Sequence, residues 1–369
     1  MLGRTMRRAR TVVVHVLAAW GCQRSEATVP AQQAGVTEPS TTAVAPEPPP
    51  PATTRPTFRR CEAHRGPLTT GREFEHARSR LVAAARPNHA MQDGFAVPGA
   101  AVELTAKITY GDGGKDLEDE DVEFALDDCA DGVDGTAKTD DDGLARISIT
   151  APAQPGAYRV RAVVLGDGSE TTATLRVLPE GTELVVFDID GTLTTTDDEV
   201  TRDVLDEHLG HLADGKYAAA AYDHGAALAR TWAERGFVIV YLTGRPYWLV
   251  DHSRAWLRDG GYPEGLVRTT LRHRDVVPKI DGVGEFKAAY LRGLVDAGYR
   301  IAAAHGNAST DVWAYAQASI PAAHTFIIGP HAGEGGTVAV RDDWSAVLPI
   351  ARDHAPAAQP FAWPSAPSK

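Results

Sequence analysis

Two hydrophobic patterns divide the chain. From about residue 65 to 180, apolar residues recur at every second position. Val102, Leu104, Ala106, Ile108 and Tyr110 share one face of the run AVELTAKITY. Ala145, Ile147 and Ile149 repeat the alternation, as do Tyr158, Val160, Ala162 and Val164, and then Ala173, Leu175 and Val177. Asp-Gly turns and prolines separate these runs. Successive half-buried strands of this kind predict an antiparallel sandwich.

After Gly181 the pattern becomes continuous apolar runs alternating with segments of helical period. ELVVFD and FVIVYL read as fully buried strands, and RIAAAHG and HTFIIG supply further ones. The spacing predicts helices over 216–236, 246–261 and 285–298, the first and second closed by glycines and the second opened by Pro246. Such alternation predicts an α/β body: a parallel sheet with helices on both faces, and ligands bound beyond the carboxyl ends of its strands.

Polar residues collect at those strand ends. Asp188 and Asp190 close the first buried strand two positions apart, so both face one crevice while Ile189 turns back to the core. Gly191 permits a sharp turn that brings backbone N–H groups, with Thr192, toward an anion. One carboxylate can attack phosphorus and the other can exchange a proton with the leaving alcohol. Two such acids beside a phosphate call for a hard cation, and Mg²⁺ suits oxygen ligands. Thr243 ends the second strand, followed by Gly244 and Arg245. Lys287 is the better candidate for a charge-offsetting lysine and Lys279, in a loop, the weaker. Asn307 and Asp311 offer further metal ligands.

The order DxDGT, TGR, Lys, GNxxxD resembles that of haloacid-dehalogenase-like phosphatases. More narrowly, DIDGTLT, YLTGRP and HGNASTDVWAYAQASIP resemble the catalytic domain of lipins and the related C-terminal domain of RdgB-type phosphatidylinositol transfer proteins. The resemblance implies a Rossmann-like fold. It also implies Asp188 as nucleophile and metal ligand and Asp190 as acid/base that lends its backbone carbonyl to the metal. Thr243 and Lys287 would be the phosphoryl contacts, with Gly191, Thr192, Gly244 and Arg245 around them, Asp311 would bind Mg²⁺ and Asn307 would support it. TGR is closer to the transfer-protein relatives, which lack intact catalytic carboxylates; this chain keeps both. The run TDDDGLARI followed by GAYRVRA resembles bacterial immunoglobulin-like domains. The intervals between Asp190, Thr243 and Lys287 are nearly filled by core elements, which predicts no large cap and an open site.

The ends add a setting. Arg4, Arg7, Arg8 and Arg10 precede a short apolar core and Gly21-Cys22, the form of an export signal with Cys22 as a lipidation site. That core is too short for a span of about 20 residues. The expected organisation is a signal at 1–22, a Pro/Thr-rich tether at 23–62, an immunoglobulin-like sandwich at 63–180, the phosphatase body at 181–354 and a disordered tail at 355–369. Cys61 and Cys129 would then form an even pair in an oxidising compartment. Acidic turns from Asp112 to Asp142 leave a calcium site open. A net charge of −12 argues against nucleic acid as a partner.

The expected function is an exported, membrane-tethered bacterial Mg²⁺ phosphatase acting on phosphatidate or a related phosphomonoester. The alternative is a phosphatidate-binding module of the same fold without turnover. Arg268, with Arg272, His273 and Arg274, could meet a second negative charge, and His305 reads as a packing residue.

Overall fold

The computed structural model describes residues 59–61, 73–111, 113–127, 135–195, 219–271, 275 and 278–361. Contacts separate two units, 1–52 and 53–369, and all described residues belong to the second.

The alternating segments form two sheets. Strands β2 (Ala90–Met91), β4 (Ala101–Lys107) and β9 (Leu144–Thr150) make one; β3 (Gly94–Ala96), β7 (Asp121–Asp127), β8 (Gly135–Lys138), β10 (Gly156–Val164) and β11 (Glu170–Val177) make the other, in the order β3-β11-β10-β7-β8. Leu104 and Ala106 from the first sheet share a core with Phe124, Val160 and Leu175 from the second. This is the predicted sandwich, and the faces named from the alternation point inward, with Val102 and Ile147 only half-buried. A small helix, α1 (Ala77–Val82), and a two-stranded ribbon of β5 (Thr109–Tyr110) and β6 (Lys115–Asp116) flank it. Asp140 spends its oxygens on Asp142 N, Leu144 N and Arg146. Among the described residues no three acidic, histidine or cysteine side chains are grouped to hold a metal, and Asp112, Asp131 and Asp134 lie outside the described residues.

The second body is a six-stranded, wholly parallel sheet in the order β14-β13-β12-β15-β16-β17. Its strands are β12 (Glu183–Phe187), β13 (Val238–Pro246), β14 (Gly265–Thr270), β15 (Arg300–Gly306), β16 (Thr325–Ile328) and β17 (Val338–Val340). Helices α2 (Gly225–Glu234), α3 (Val250–Asp259), α4 (Glu285–Asp296), α5 (Ser309–Gln317) and α6 (Leu348–Asp353) cover it. Val185, Phe187 and Ile239 bury on one face, Leu184, Val186 and Val240 on the other, which is why these strands read as unbroken apolar runs. Each such side chain contributes about 1.5–3 kcal/mol of burial. The order reverses between β12 and β15, and the crevice beyond their carboxyl ends is where such sheets bind ligands.

Three expectations need correction. The first helix begins at Gly225 rather than 216, because His224 is held at φ 65, a left-handed conformation that helices do not continue through, and Thr194 bridges to Ala221 just before it. The tether predicted to be disordered through residue 62 contains β1 (Arg59–Cys61), which pairs in parallel with Gly156–Tyr158. The tail predicted to be disordered from 355 is docked as far as 361: Ala357 and Phe361 are buried and their N–H groups donate to Arg235 O and Gly236 O. Residues 1–22 with Cys22, the Cys61–Cys129 pairing, and Arg272–Arg274 lie outside the described residues or their described side chains. No helix among the described residues is long and apolar enough to cross a membrane.

The sandwich and the parallel sheet meet along β14. Asp93 accepts from Val267 N (3.1 Å) and Thr174 N (3.1 Å) and pairs with Arg176 (3.0 Å) and Arg254 (2.9 Å). Its neighbour Gln92 accepts from Thr269 N (3.0 Å) and donates to the Thr269 hydroxyl (2.8 Å). The two arginines hold the buried Asp93 carboxyl below its usual range against the cost of burial.

Candidate active site

Four backbone devices bring the predicted residues together. Asp188 continues β12, its N–H donating to His305 O (2.9 Å), so its carboxylate enters the crevice between β12 and β15. Gly191 turns the chain at φ 70. The pairing of β13 with β14 slips between Leu242 and Pro246, and this irregularity lifts Thr243, Gly244 and Arg245 out of register over the site. Asp311 lies in the first turn of α5 and accepts from Asn307 N and Ala308 N, both at 3.1 Å. Gly306 makes that approach possible, since a Cβ there would stand 2.7 Å from the Asp311 Cβ.

The side chains form two ion-pair groups. In the first, the Lys287 ammonium from α4 donates to Asp188 Oδ1 (2.6 Å) and Asp311 Oδ1 (2.7 Å). Thr192 Oγ1 stands 3.0 Å from Asp188 Oδ2 and 3.1 Å from Asn307 Oδ1. In the second, Arg245 grips Asp190: Nε donates to Oδ1 (2.9 Å) and Oδ2 (3.1 Å), and Nη2 to Oδ1 (2.8 Å). The Thr243 hydroxyl donates to Asp190 Oδ2 at 2.8 Å. Ser253 accepts from Arg245 Nη1 (3.2 Å), and the Thr270 hydroxyl donates to Arg245 O (3.2 Å). Arg245, Thr243 and Asp311 are fully buried, and Asp190, the most accessible of the acids, is 9% exposed.

Three acids face two cations here, so negative charge is in excess. Burial first, and then the nearby Asp311 and Asp190, raise the Asp188 carboxyl above its ordinary range, more than Lys287 offsets. The two carboxylates in turn hold the Lys287 ammonium charged against its own burial. The oxygen donors of Asp188, Asp311 and Asn307 match the chemistry of a hard cation. In this arrangement Lys287 occupies the space between the acids, and among the described residues no three acidic, histidine or cysteine side chains are grouped to hold an ion.

Every residue predicted for the site except Cys22 is described. Asp188, Asp190, Thr192, Thr243, Arg245, Lys287, Asn307 and Asp311 converge, whereas Lys279 is exposed. Gly191 donates its N–H to Thr194 Oγ1 (3.0 Å), and Gly244 lies where a Cβ would meet Val283 at 2.9 Å. His305 is a packing residue, stacked on Phe187 at 4.1 Å with Nδ1 3.1 Å from Val186 O. Ser253, Thr270 and Trp344, whose indole donates to Thr192 O (2.8 Å), support the site without any local sequence signal.

Residues 185–329 match the model of the LNS2 domain of the PITM 1-3 family. Over 199 residues the chain is 34% identical to the protein retinal degeneration B of Drosophila melanogaster, covering 53% of this chain and 14% of that protein. It is 31% identical over 196 residues to the human membrane-associated phosphatidylinositol transfer protein 2, covering 50% of this chain and 12% of the relative. The human transfer protein 3 is also 31% identical, over 47% of this chain and 16% of its own length. The chain thus spans a small part of these relatives. The D00-D0 domain of intimin aligns with a TM-score of 0.20 and 18% identity over 24% of this chain and 45% of its own, too slight a likeness to assign a relationship. Two expectations are corrected by these matches. The α/β body matches the LNS2 domain and the RdgB-type relatives named from its motifs, which overturns its assignment as a lipin-type dehalogenase-superfamily phosphatase. The relatives are animal proteins, several named membrane-associated, which overturns the reading of a bacterial exported lipoprotein.

Proposed function

We propose that the α/β body recognises the phosphate headgroup of a membrane lipid at the Asp188–Asp190–Thr243–Lys287 site and holds it without turnover. The observation that carries this reading is the grip on Asp190. Three N–H contacts from Arg245 and the Thr243 hydroxyl occupy both of its oxygens, so the side chain that would exchange a proton with a leaving alcohol is committed elsewhere. Similarity to proteins named as phosphatidylinositol transfer proteins supports a lipid over a soluble phosphate.

Lys287 and Thr243 would meet the phosphoryl oxygens in exchange for their present contacts to Asp188, Asp311 and Asp190. Asp188, Asp311 and Asn307 would hold Mg²⁺, which supplies positive charge that offsets the repulsion between the acids and a phosphate dianion.

A second reading, hydrolysis of the same headgroup, is favoured by the intact Asp188/Asp190 pair. In it Asp188 attacks phosphorus, the bond to the alcohol oxygen breaks, and Asp190 protonates that oxygen before accepting a proton from the water that releases phosphate.

Co-sedimentation with phosphatidate-containing and phosphatidylcholine-only vesicles, with and without Mg²⁺, tests the proposal alongside an assay of free phosphate. The expected result is selective retention on phosphatidate, lost in Lys287→Met, with phosphate release no greater than in Asp188→Asn. Equal retention on both vesicles refutes lipid-phosphate recognition. Release that depends on Asp188 replaces holding with hydrolysis.

A further inference from the structure

The loop that carries Thr243 and Arg245 is braced by Ser253, Thr270 and Tyr247, and each brace leads back to the sandwich. Arg245 is fully buried; its Nη1 donates to Ser253 Oγ (3.2 Å) and its carbonyl accepts from the Thr270 hydroxyl (3.2 Å). Tyr247, just beyond Pro246, is buried as well. Pro246, at φ −66, has little freedom to turn, so the place of Tyr247 constrains that of Arg245.

The ties to the sandwich run through these supports or their immediate neighbours. Arg254 follows Ser253 on α3, and its Nη2 donates to Met91 O (3.1 Å) and Asp93 Oδ1 (2.9 Å). Thr269 precedes Thr270 on β14 and is held by Gln92, which accepts from its N–H (3.0 Å) and donates to its hydroxyl (2.8 Å). Tyr247 itself enters the sandwich. It shares a core with Ala90, and Lys107 Nζ stands 5.3 Å from the centre of its ring, a favourable placement of a cation over an aromatic face. Lys107 is buried and fixed in turn by Asp116 Oδ1 at 2.6 Å. The Tyr247 hydroxyl reaches Gly114 so closely that a Cβ there would stand 2.8 Å from its oxygen. Contacts that only joined the two bodies would have no reason to converge. These meet around one guanidinium, the one that holds Asp190.

We infer that Gln92 and Tyr247 are positioning residues, through which the sandwich fixes the Thr243–Arg245 loop and with it the grip on Asp190. That this loop serves headgroup binding rests on the function proposed above, whereas its positioning does not.

Amide hydrogen exchange of the full chain tests it, in wild type, Gln92→Met and Gly114→Ala, alongside retention on phosphatidate vesicles with Mg²⁺. Neither substitution falls in the phosphate site: Gln92→Met removes two hydrogen bonds to Thr269, and Gly114→Ala displaces the Tyr247 hydroxyl. The expected result is exchange at Thr243–Arg245 about tenfold faster in each variant, with exchange in β16 unchanged and phosphatidate retention weakened. Loop exchange equal to wild type in both variants overturns the proposal. Equal acceleration in β16 overturns it too, since the sandwich would then add only overall stability. A wild-type chain that retains no phosphatidate removes the headgroup reading, and the exchange result still decides the positioning by itself. Should Gly114→Ala fail to fold, Gln92→Met decides alone.

Discussion

Arg245→Met should expose how much of the site's rigidity rests on one ion pair. The guanidinium makes three contacts of 2.8–3.1 Å to Asp190, is fully buried, and has a partner that is 9% exposed. Removing it leaves the Asp190 carboxylate with the Thr243 hydroxyl as its remaining described partner. Breaking one side of such a buried pair costs about 3–5 kcal/mol, chiefly because the other charge is stranded. Asp190→Asn should cost a similar amount by stranding Arg245. The double variant should lose about 2–3 kcal/mol less than the sum of the two, since no unpaired charge remains. Urea unfolding followed by the fluorescence of Trp232 and Trp344, both buried in the α/β body, reads all four corners of the cycle. Single losses below about 1 kcal/mol, or additivity within about 0.5 kcal/mol, would refute the reasoning. Asp190 would then be a solvated acid free for proton transfer, and the case against turnover would fall with it.

Gly306→Ala should destabilise the chain by about 1–3 kcal/mol, because its Cβ would stand 2.7 Å from Asp311 Cβ within packed surroundings; a melting temperature equal to wild type would refute the close approach. His305 is fully buried and uncharged, its pKa pushed by burial down to about 3. The unfolded chain therefore binds more protons between about pH 6.5 and pH 3, so this residue makes stability fall as pH drops through that window and leaves it level above. His305→Phe should flatten the slope, measured as urea midpoints from pH 7 to pH 4; an unchanged slope would assign the acid sensitivity elsewhere.

What could be read in the sequence was whatever local periodicity encodes. Period two placed Tyr158, Val160, Ala162 and Val164 in the sandwich core, and unbroken apolar runs marked strands covered on both faces. The strand-end acids, Lys287 and Asp311 were legible because their chemistry needs short spacings at predictable ends of elements. The start of α2 was not, since helical period continues through the alanines before His224 while the backbone reverses there. Nor was the Arg245–Asp190 grip, made across 55 residues by a slip in strand register that has no signature in either strand alone. The docking of 355–361 escaped for a related reason: Ala357 and Phe361 find their places through backbone groups of the distant α2 end.

The contact between the two bodies has a consequence for self-association. β14 is the edge of the parallel sheet, and an uncovered edge strand offers its free N–H groups to any passing strand. Val267 and Thr269 carry two such groups, and the side chains of Asp93 and Gln92 take both. The sandwich thus acts as a stopper: two side chains imitate the carbonyls of a neighbouring strand without supplying a strand that could be extended further. A fragment holding the parallel sheet alone would lose that stopper, and its β14 edge would be free to pair with another copy of itself.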